Sequence, residues 1–347
     1  MSRWQKSLTN CITTPNELSL LFDINLKLIE QVVKRYPLRI TRYYLGLIKA
    51  PGDPIWRQCV PDPLELTDEF QAGDPLNEEF FSPVPGLIHR YPDRVVCLVS
   101  SACAVYCRFC MRKRMVGCMG ANGIENYSSA IEYIGKYEEI RDVILSGGDP
   151  LLLEDDVLEG ILCGLRQIPH LEIIRIGTRV PVTLPERITT SLARMLKKFH
   201  PIYINTHFNH PGEITSASAQ ACSRLADSGI PLGNQTVLLK GVNDDPQVMR
   251  RLMQLLLKIR VKPYYLHQMD LVKGTGHFRT SIGAGLEIME KLRGYTSGLA
   301  LPCYVIDLEG GKGKAPLLPE YMKRDNDGLF IRSYQGEVVK YKDVERS

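Results

Sequence analysis

No stretch of the 347-residue chain approaches the ~18 consecutive apolar residues that a membrane-spanning helix needs. The opening stretch, MSRWQKSLTNCITTPNELSLL, lacks the compact apolar core and small-residue cleavage site of a secretory leader. Charge of one sign is not in excess: 43 Lys and Arg stand against 39 Asp and Glu, a net charge of +4, with both signs interspersed. Aromatic residues are scarce at 8%, so a basic groove interleaved with stacking rings, as a nucleic-acid binder requires, is not expected. Internal repeats and low-complexity segments are also missing. Apolar residues at 44% and charged residues at 24% are ordinary for a globular chain. The expectation is a cytoplasmic enzyme with neither nucleic acid nor membrane as partner.

Cysteine is not lacking. Ten cysteines in a cytoplasmic chain do not form a disulfide framework, because that compartment keeps thiols reduced. Seven are scattered (Cys11, Cys59, Cys97, Cys118, Cys163, Cys222, Cys303), and most of these read as inert thiols in packing. Three are clustered in SACAVYCRFCMRKR, residues 101–114: Cys103, Cys107 and Cys110. Structural zinc takes four ligands, usually as two pairs. Cys118 is a candidate fourth, but its eight-residue offset and the lack of a second CxxC or of HxxxH weigh against zinc. A [4Fe–4S] cluster normally takes four thiolates. Three thiolates leave one iron open for another ligand, as a catalytic zinc site keeps an open position.

Residues 1–85 read as a helical region broken by Pro-containing stretches, with helical periodicity at Leu18, Leu21, Ile24, Leu26 and Ile29 and a further segment in PLNEEFFSPVPG. From Val95, β-branched runs (95–100, 142–148, 173–178, 202–208, 233–239, 263–268) alternate with amphipathic stretches, the pattern of a parallel sheet of βαβ units. The predicted fold class is α/β: a partial (β/α)6 TIM-like barrel over residues 86–285, followed by a C-terminal segment, 286–347, that holds CYVIDLEGGKGKAP and a short β-rich end. Functional groups in such barrels gather after the strand C-termini. The triple-cysteine loop, GGDP (147–150), TRVP (178–181), NTHFNH and QMD all lie there.

Cys-x3-Cys-x2-Cys after a first barrel strand, with SGGDP after the second, resembles the radical S-adenosylmethionine superfamily. HRYPDRV, YCRFCMRKR, DVILSGGDPLL, RIGTRVPV, NTHFNHPGEIT, GNQTVLLKGVND, PYYLHQMD, GHFRT and GGKGKAP together resemble the lysine 2,3-aminomutase family over roughly residues 50–335. That resemblance implies a radical SAM-type barrel and three cofactors: a [4Fe–4S] cluster, S-adenosylmethionine and pyridoxal 5′-phosphate (PLP). It implies an isomerase that interconverts L-α-lysine and β-lysine, a 5′-deoxyadenosyl radical acting on the PLP-bound amino acid. An electron donor and a homo-oligomer are implied as partners. Dedication of the product to elongation factor P, and arginine as substrate, are the alternatives.

Residue by residue, the resemblance assigns Cys103, Cys107 and Cys110 to the cluster. Gly147, Gly148, Asp149 and Gln235 go to S-adenosylmethionine, the glycines allowing a ligand amine close to the backbone. Lys314 carries PLP, with Lys312 a departure inside the glycine run. Arg90 and Arg94 take the PLP phosphate, for which a planar guanidinium fork is suited. Arg112 takes the substrate carboxylate, and Asp270 and Asp307 the ε-ammonium. Two carboxylates facing a glutamate side chain would be repulsive, which favours lysine over glutamate. His207 and His210 read as buried hydrogen-bonded histidines rather than metal ligands. Longer members of the family continue into a zinc-binding extension; the chain ends at YKDVERS, and Asp245 stands where a zinc-ligand cysteine is implied, so zinc is not expected.

Overall fold

The computed structural model describes residues 1–68, 72–117 and 127–344, so Cys118 lies outside the described residues. Its β-branched runs form one sheet of nine strands whose order follows the chain. These are β1 (Leu87–Tyr91), β2 (Arg94–Ser100), β3 (Asp142–Gly147), β4 (Ile173–Gly177), β5 (Ile202–Thr206), β6 (Leu232–Val237), β7 (Lys262–His267), β8 (Cys303–Leu308) and β9 (Gly313–Pro316). Strands β2 to β8 are parallel neighbours, and β1 and β9 add antiparallel edges. Residues from all nine strands line a single cavity, so the sheet curls around it as a barrel does.

The six expected strands are β2 to β7, with ends within two residues of the sequence reading. The sheet continues beyond them. β8 hydrogen-bonds to the edge of β7 and buries Tyr304 and Val305, so residues 303–316 extend the barrel rather than stand apart in a C-terminal segment. An unpaired parallel edge is satisfied by this addition.

Seven helices fill the crossovers: α6 (Ser128–Lys136), α7 (Asp155–Arg166), α8 (Val180–Thr183), α9 (Thr190–Lys197), α10 (Ser216–Asp227), α11 (Pro246–Lys258) and α12 (Ile282–Leu292). The expected boundary at 285/286 falls inside α12. Buried residues spaced by three and four, such as Leu158, Ile161, Leu162 and Leu165 on α7, turn one stripe of each helix to the sheet. Asp245 caps α11 by accepting from the N–H groups of Gln247 and Val248, which gives that aspartate a local task.

Ahead of the sheet stand α1 (Arg3–Thr9), α2 (Pro15–Ser19), α3 (Leu26–Arg35), α4 (Arg42–Leu45) and α5 (Pro54–Cys59). The periodic run from Leu18 to Ile29 is divided between two helices: Asn25 caps α3, and Leu21 in the intervening turn is exposed. PLNEEFFSPVPG forms turns, not helix. Trp4, Ile12, Leu18, Ile40 and Ile55 share one apolar cluster with Val95, Leu145, Ile176, Ile204 and Leu266 of the strands. The N-terminal helices therefore have the barrel's core as their own. A small antiparallel sheet, β10 (Met322–Asp325), β11 (Gly328–Arg332) and β12 (Val338–Tyr341), ends the described chain. Among the described residues no helix is long and apolar enough to cross a membrane.

Candidate active site

The C-terminal ends of the parallel strands open onto a cavity of about 580 Å³, within the usual size of a small-molecule site. Cys103, Cys107, Cys110, Arg90, Arg94, Arg112, Gly147, Gly148, Asp149, Gln235, Asp270, Asp307 and Lys314 all line it. Curling of the sheet brings its two edges, β1 and β9, together across more than 220 positions of sequence, as when the Lys314 N–H donates to the hydroxyl of Tyr91.

One wall is the loop after β2. Its three clustered thiols stand half-buried at the cavity surface, whereas Cys11, Cys59, Cys97 and Cys222 are buried in packing and Cys163 and Cys303 are exposed. Burial raises the Cys103 thiol well above its ordinary value and pushes Cys110 up to about 11. Thiols so placed are stable as neutral groups and would ionise on taking up metal. Among the described residues no group of three His, Cys, Asp or Glu side chains converges as a single ion requires. Three thiolates that each bind a different iron of a cube need not converge. The donor set thus suits a three-thiolate cluster.

Neighbouring strands hold this loop in place. The N–H of Gly148 donates to Ser100 O at 2.5 Å and that of Asp149 to Ala102 O at 2.7 Å. A Cβ on Gly147 would sit 2.3 Å from Ser100 O, and one on Gly148 2.3 Å from Ala102 O. Both glycines line the cavity and also permit a close approach to the cysteine loop's own backbone. Asp149 is equally occupied: it accepts from Thr178 Oγ1 (2.6 Å), Leu151 N (3.1 Å) and Arg179 N (2.7 Å). Burial pushes its carboxyl up to about 6 against those hydrogen bonds. Behind the loop, buried Glu65 binds Arg108 (2.5 Å) and Lys113 (2.6 Å), so two of the cations that follow the cysteines are structural. Of Arg108, Arg112, Lys113 and Arg114, Arg112 alone lines the cavity; Glu78 holds its fork at 3.1 and 2.7 Å, and Ser146 accepts from Nη1 at 3.2 Å.

The opposite wall is a register effect. On antiparallel β8 and β9, Asp307 faces Lys314 directly, with Nζ 2.5 Å from Oδ2. Glycines in the left-handed region at 310, 311 and 313 make the tight turn between these strands, and Lys312 points to solvent. Arg90 donates to Asp307 Oδ1 at 3.1 Å, and His267 Nδ1 lies 3.6 Å from Oδ2. Burial alone would raise the Asp307 carboxyl, but neighbouring His267 and the hydrogen-bonded Lys314 ammonium outweigh it and hold the group well below the usual carboxylate range. Asp270, after β7, receives no such hydrogen bonds. Burial and then the Asp307 charge push it up to about 7. The Tyr91 ring lies between Arg90 and Arg94, at 5.0 and 4.5 Å. Arg90 is thus turned to Asp307 in this state, and Arg94 is half exposed beside Asp93.

The two histidines diverge. His207 lines the cavity with Nε2 unpartnered and is lowered by burial, while His210 caps a short turn by accepting from Gly212 N. Sequence reasoning missed Glu65, Glu78, Tyr91, His267 and Arg179. Tyr91 and Arg179 stood inside quoted motifs, but nothing in the turn sequence around Glu78 signals its role. Only the fold carries it to Arg112.

Comparison with known proteins gives the family. A model of the radical SAM superfamily matches residues 97–253, and one described as lysine-2,3-aminomutase matches residues 289–347. The chain is 48% identical to the L-lysine 2,3-aminomutase of Clostridium subterminale, over 98% of this chain and 84% of that protein. It is also 48% identical to the glutamate 2,3-aminomutase of Clostridioides difficile strain 630, over 98% and 82%. Identity to the L-lysine 2,3-aminomutase of Escherichia coli K12 is 35%, over 90% of this chain and 94% of that protein. With the triple-cysteine loop, the barrel mouth and these relatives in agreement, the chain belongs to the lysine 2,3-aminomutase family of radical S-adenosylmethionine enzymes, isomerases that carry a [4Fe–4S] cluster and S-adenosylmethionine.

Proposed function

We propose that the protein is an L-lysine 2,3-aminomutase that uses PLP on Lys314. The observation that carries this reading is the pair of carboxylates, Asp270 and Asp307, in one desolvated corner of the cavity. Overall identity does not separate lysine from glutamate, since relatives of both names stand at 48%. The corner supports lysine: an acidic side chain brought there would meet two further carboxyl groups, whereas an ammonium would relieve their repulsion.

When bound, the cluster and S-adenosylmethionine supply a 5′-deoxyadenosyl radical, and PLP supplies the π-system through which an amino group moves between adjacent carbons. The chain's own groups bind and orient. Cys103, Cys107 and Cys110 hold the cluster, with Gln235 on the S-adenosylmethionine side. Arg112, kept in one orientation by Glu78 and Ser146, receives the substrate carboxylate. Lys314 would hold PLP, which would leave Asp307 for the substrate's far ammonium beside Asp270. Arg90 and Arg94 would bind the PLP phosphate. The cavity walls would limit water around the bound substrate while a C–H bond and the migrating nitrogen are held in contact.

The test is anaerobic. Reconstituted, reduced protein is incubated with S-adenosylmethionine, PLP and either L-lysine, L-arginine or L-glutamate, and products are identified by NMR. β-Lysine from wild type, with no product and no PLP absorbance from Lys314→Ala, is expected. Retention of both cofactors with lysine untouched would overturn the substrate and leave the family intact.

A further inference from the structure

Arg179, in the loop after β4, is a buried cation that the substrate chemistry leaves without a task. Its Nη1 donates to Cys107 Sγ at 2.8 Å. Its Nη2 donates to Glu213 Oε1 and Gln58 Oε1, each at 2.6 Å, and to the Tyr44 hydroxyl at 3.1 Å. The rings of Phe109 and Tyr44 cover the guanidinium at 5.2 and 5.3 Å. Glu213 is wholly buried and is itself fixed by Tyr44 (2.7 Å) and by the Asn209 and His210 N–H groups (2.6 and 3.0 Å).

An ion pair has thus been taken out of water and set end-on to a cluster cysteine, with the cation on the sulfur and the carboxylate on the other fork. Such a pair is weak as a stabilising device, because apolar packing of the same volume does as well or better. Its orientation has a different consequence. Cluster potentials respond to local charge and to hydrogen bonds on the sulfurs. Reduction adds one negative charge to the cluster, so a fixed cation on one thiolate favours the reduced form and a fixed anion behind it disfavours that form.

We propose that Arg179 is a positioning residue that raises the reduction potential of the cluster through Cys107, and that Glu213 is the counter-charge that limits the rise. The inference rests on the cluster that the family carries, not on which amino acid is the substrate. In the step concerned one electron passes from an external low-potential reductant to the oxidised cluster; no bond at Arg179 forms or breaks and no proton moves.

Anaerobically reconstituted protein is titrated with dithionite in the presence of redox mediators, and the reduced cluster is read by EPR. Arg179→Gln should lower the reduced-to-oxidised ratio at a fixed potential by about tenfold, equivalent to a negative shift of about 59 mV for one electron. Glu213→Gln should shift it the opposite way, and Arg179→Lys should fall between wild type and Arg179→Gln. Iron per chain and the melting temperature are measured on the same samples. Shifts of equal sign for Arg179→Gln and Glu213→Gln, or no shift in either, overturn the proposal. Should Arg179→Gln fail to retain iron, Glu213→Gln decides: a positive shift supports the proposal, and a null shift, a negative shift or loss of the cluster sinks it. A wild type that takes up no cluster removes the cofactor itself, a failure visible before any variant is compared.

Discussion

Asp270 is a carboxyl that folding displaces from its ordinary value near 3.8 up to about 7. Over that window the folded state keeps a proton that the unfolded chain gives up, so the folded state binds more protons and stability falls as pH rises. Asp270→Asn should remove this slope and be more stable than wild type at pH 8 by on the order of a few kcal/mol, and so melt at a higher temperature. Differential scanning calorimetry of the protein without added ligands at pH 5 and pH 8 checks it. Lysine binding should respond in the opposite sense. The charged carboxylate is what an ammonium needs, so kcat/KM for lysine should fall as pH drops through 7, and Asp270→Asn should raise KM about 100-fold with a flat profile there. The same residue is then unfavourable for the fold and favourable for the substrate.

At the scale of elements, the contact between the β2 and β3 loops is made by backbone on backbone. Gly148→Ala sets a methyl group 2.3 Å from Ala102 O, which cannot retreat as a flexible side chain would. Overpacking of this kind costs about 1–3 kcal/mol. Lower melting temperature and less iron per chain after reconstitution are the expected outcomes, measured by calorimetry and iron assay. Glu65→Gln tests the other side of the same loop: it leaves the buried Arg108 and Lys113 short of a counter-charge, for which about 3–5 kcal/mol is the ordinary cost. The element pattern itself was legible because continuous β-branched runs and amphipathic stretches differ in period. What the pattern did not carry was membership: CYVIDL is a mainly apolar run that reads as a strand of any sheet, and only the open edge of β7 makes it part of the barrel.

For the whole molecule, one core spans what the sequence divides into a helical region and a barrel. Removing residues 1–60 should therefore not give a trimmed barrel. It strips Trp4 from Arg187, over whose guanidinium it lies at 4.5 Å, removes Gln58 and Tyr44 from Arg179, and uncovers apolar side chains of the crossover helices. Loss of cooperative melting and of cluster uptake is the expected outcome, read by near-ultraviolet circular dichroism and iron content. A truncated protein that melts sharply and binds iron would show the helical region to be dispensable.

Composition and strand period determined by themselves an α/β barrel with three clustered thiols after its first parallel strand, and the resemblance carried by the motifs named thirteen residues that line the cavity. These are local properties: a thiol spacing or an alternation of polarity is present before the chain folds. The partners of those residues were decided only by tertiary structure. Glu78 on Arg112, Asp307 on Lys314 and Arg90, Glu213 and Cys107 on Arg179 all depend on strand register and crossover packing, which place distant charges within 3.2 Å of each other. Burial is equally non-local. Asp270 in the loop after β7 and Asp307 on β8 are the same residue type, yet one is pushed up and the other held down, because Lys314 and Arg90 hydrogen-bond directly to Asp307.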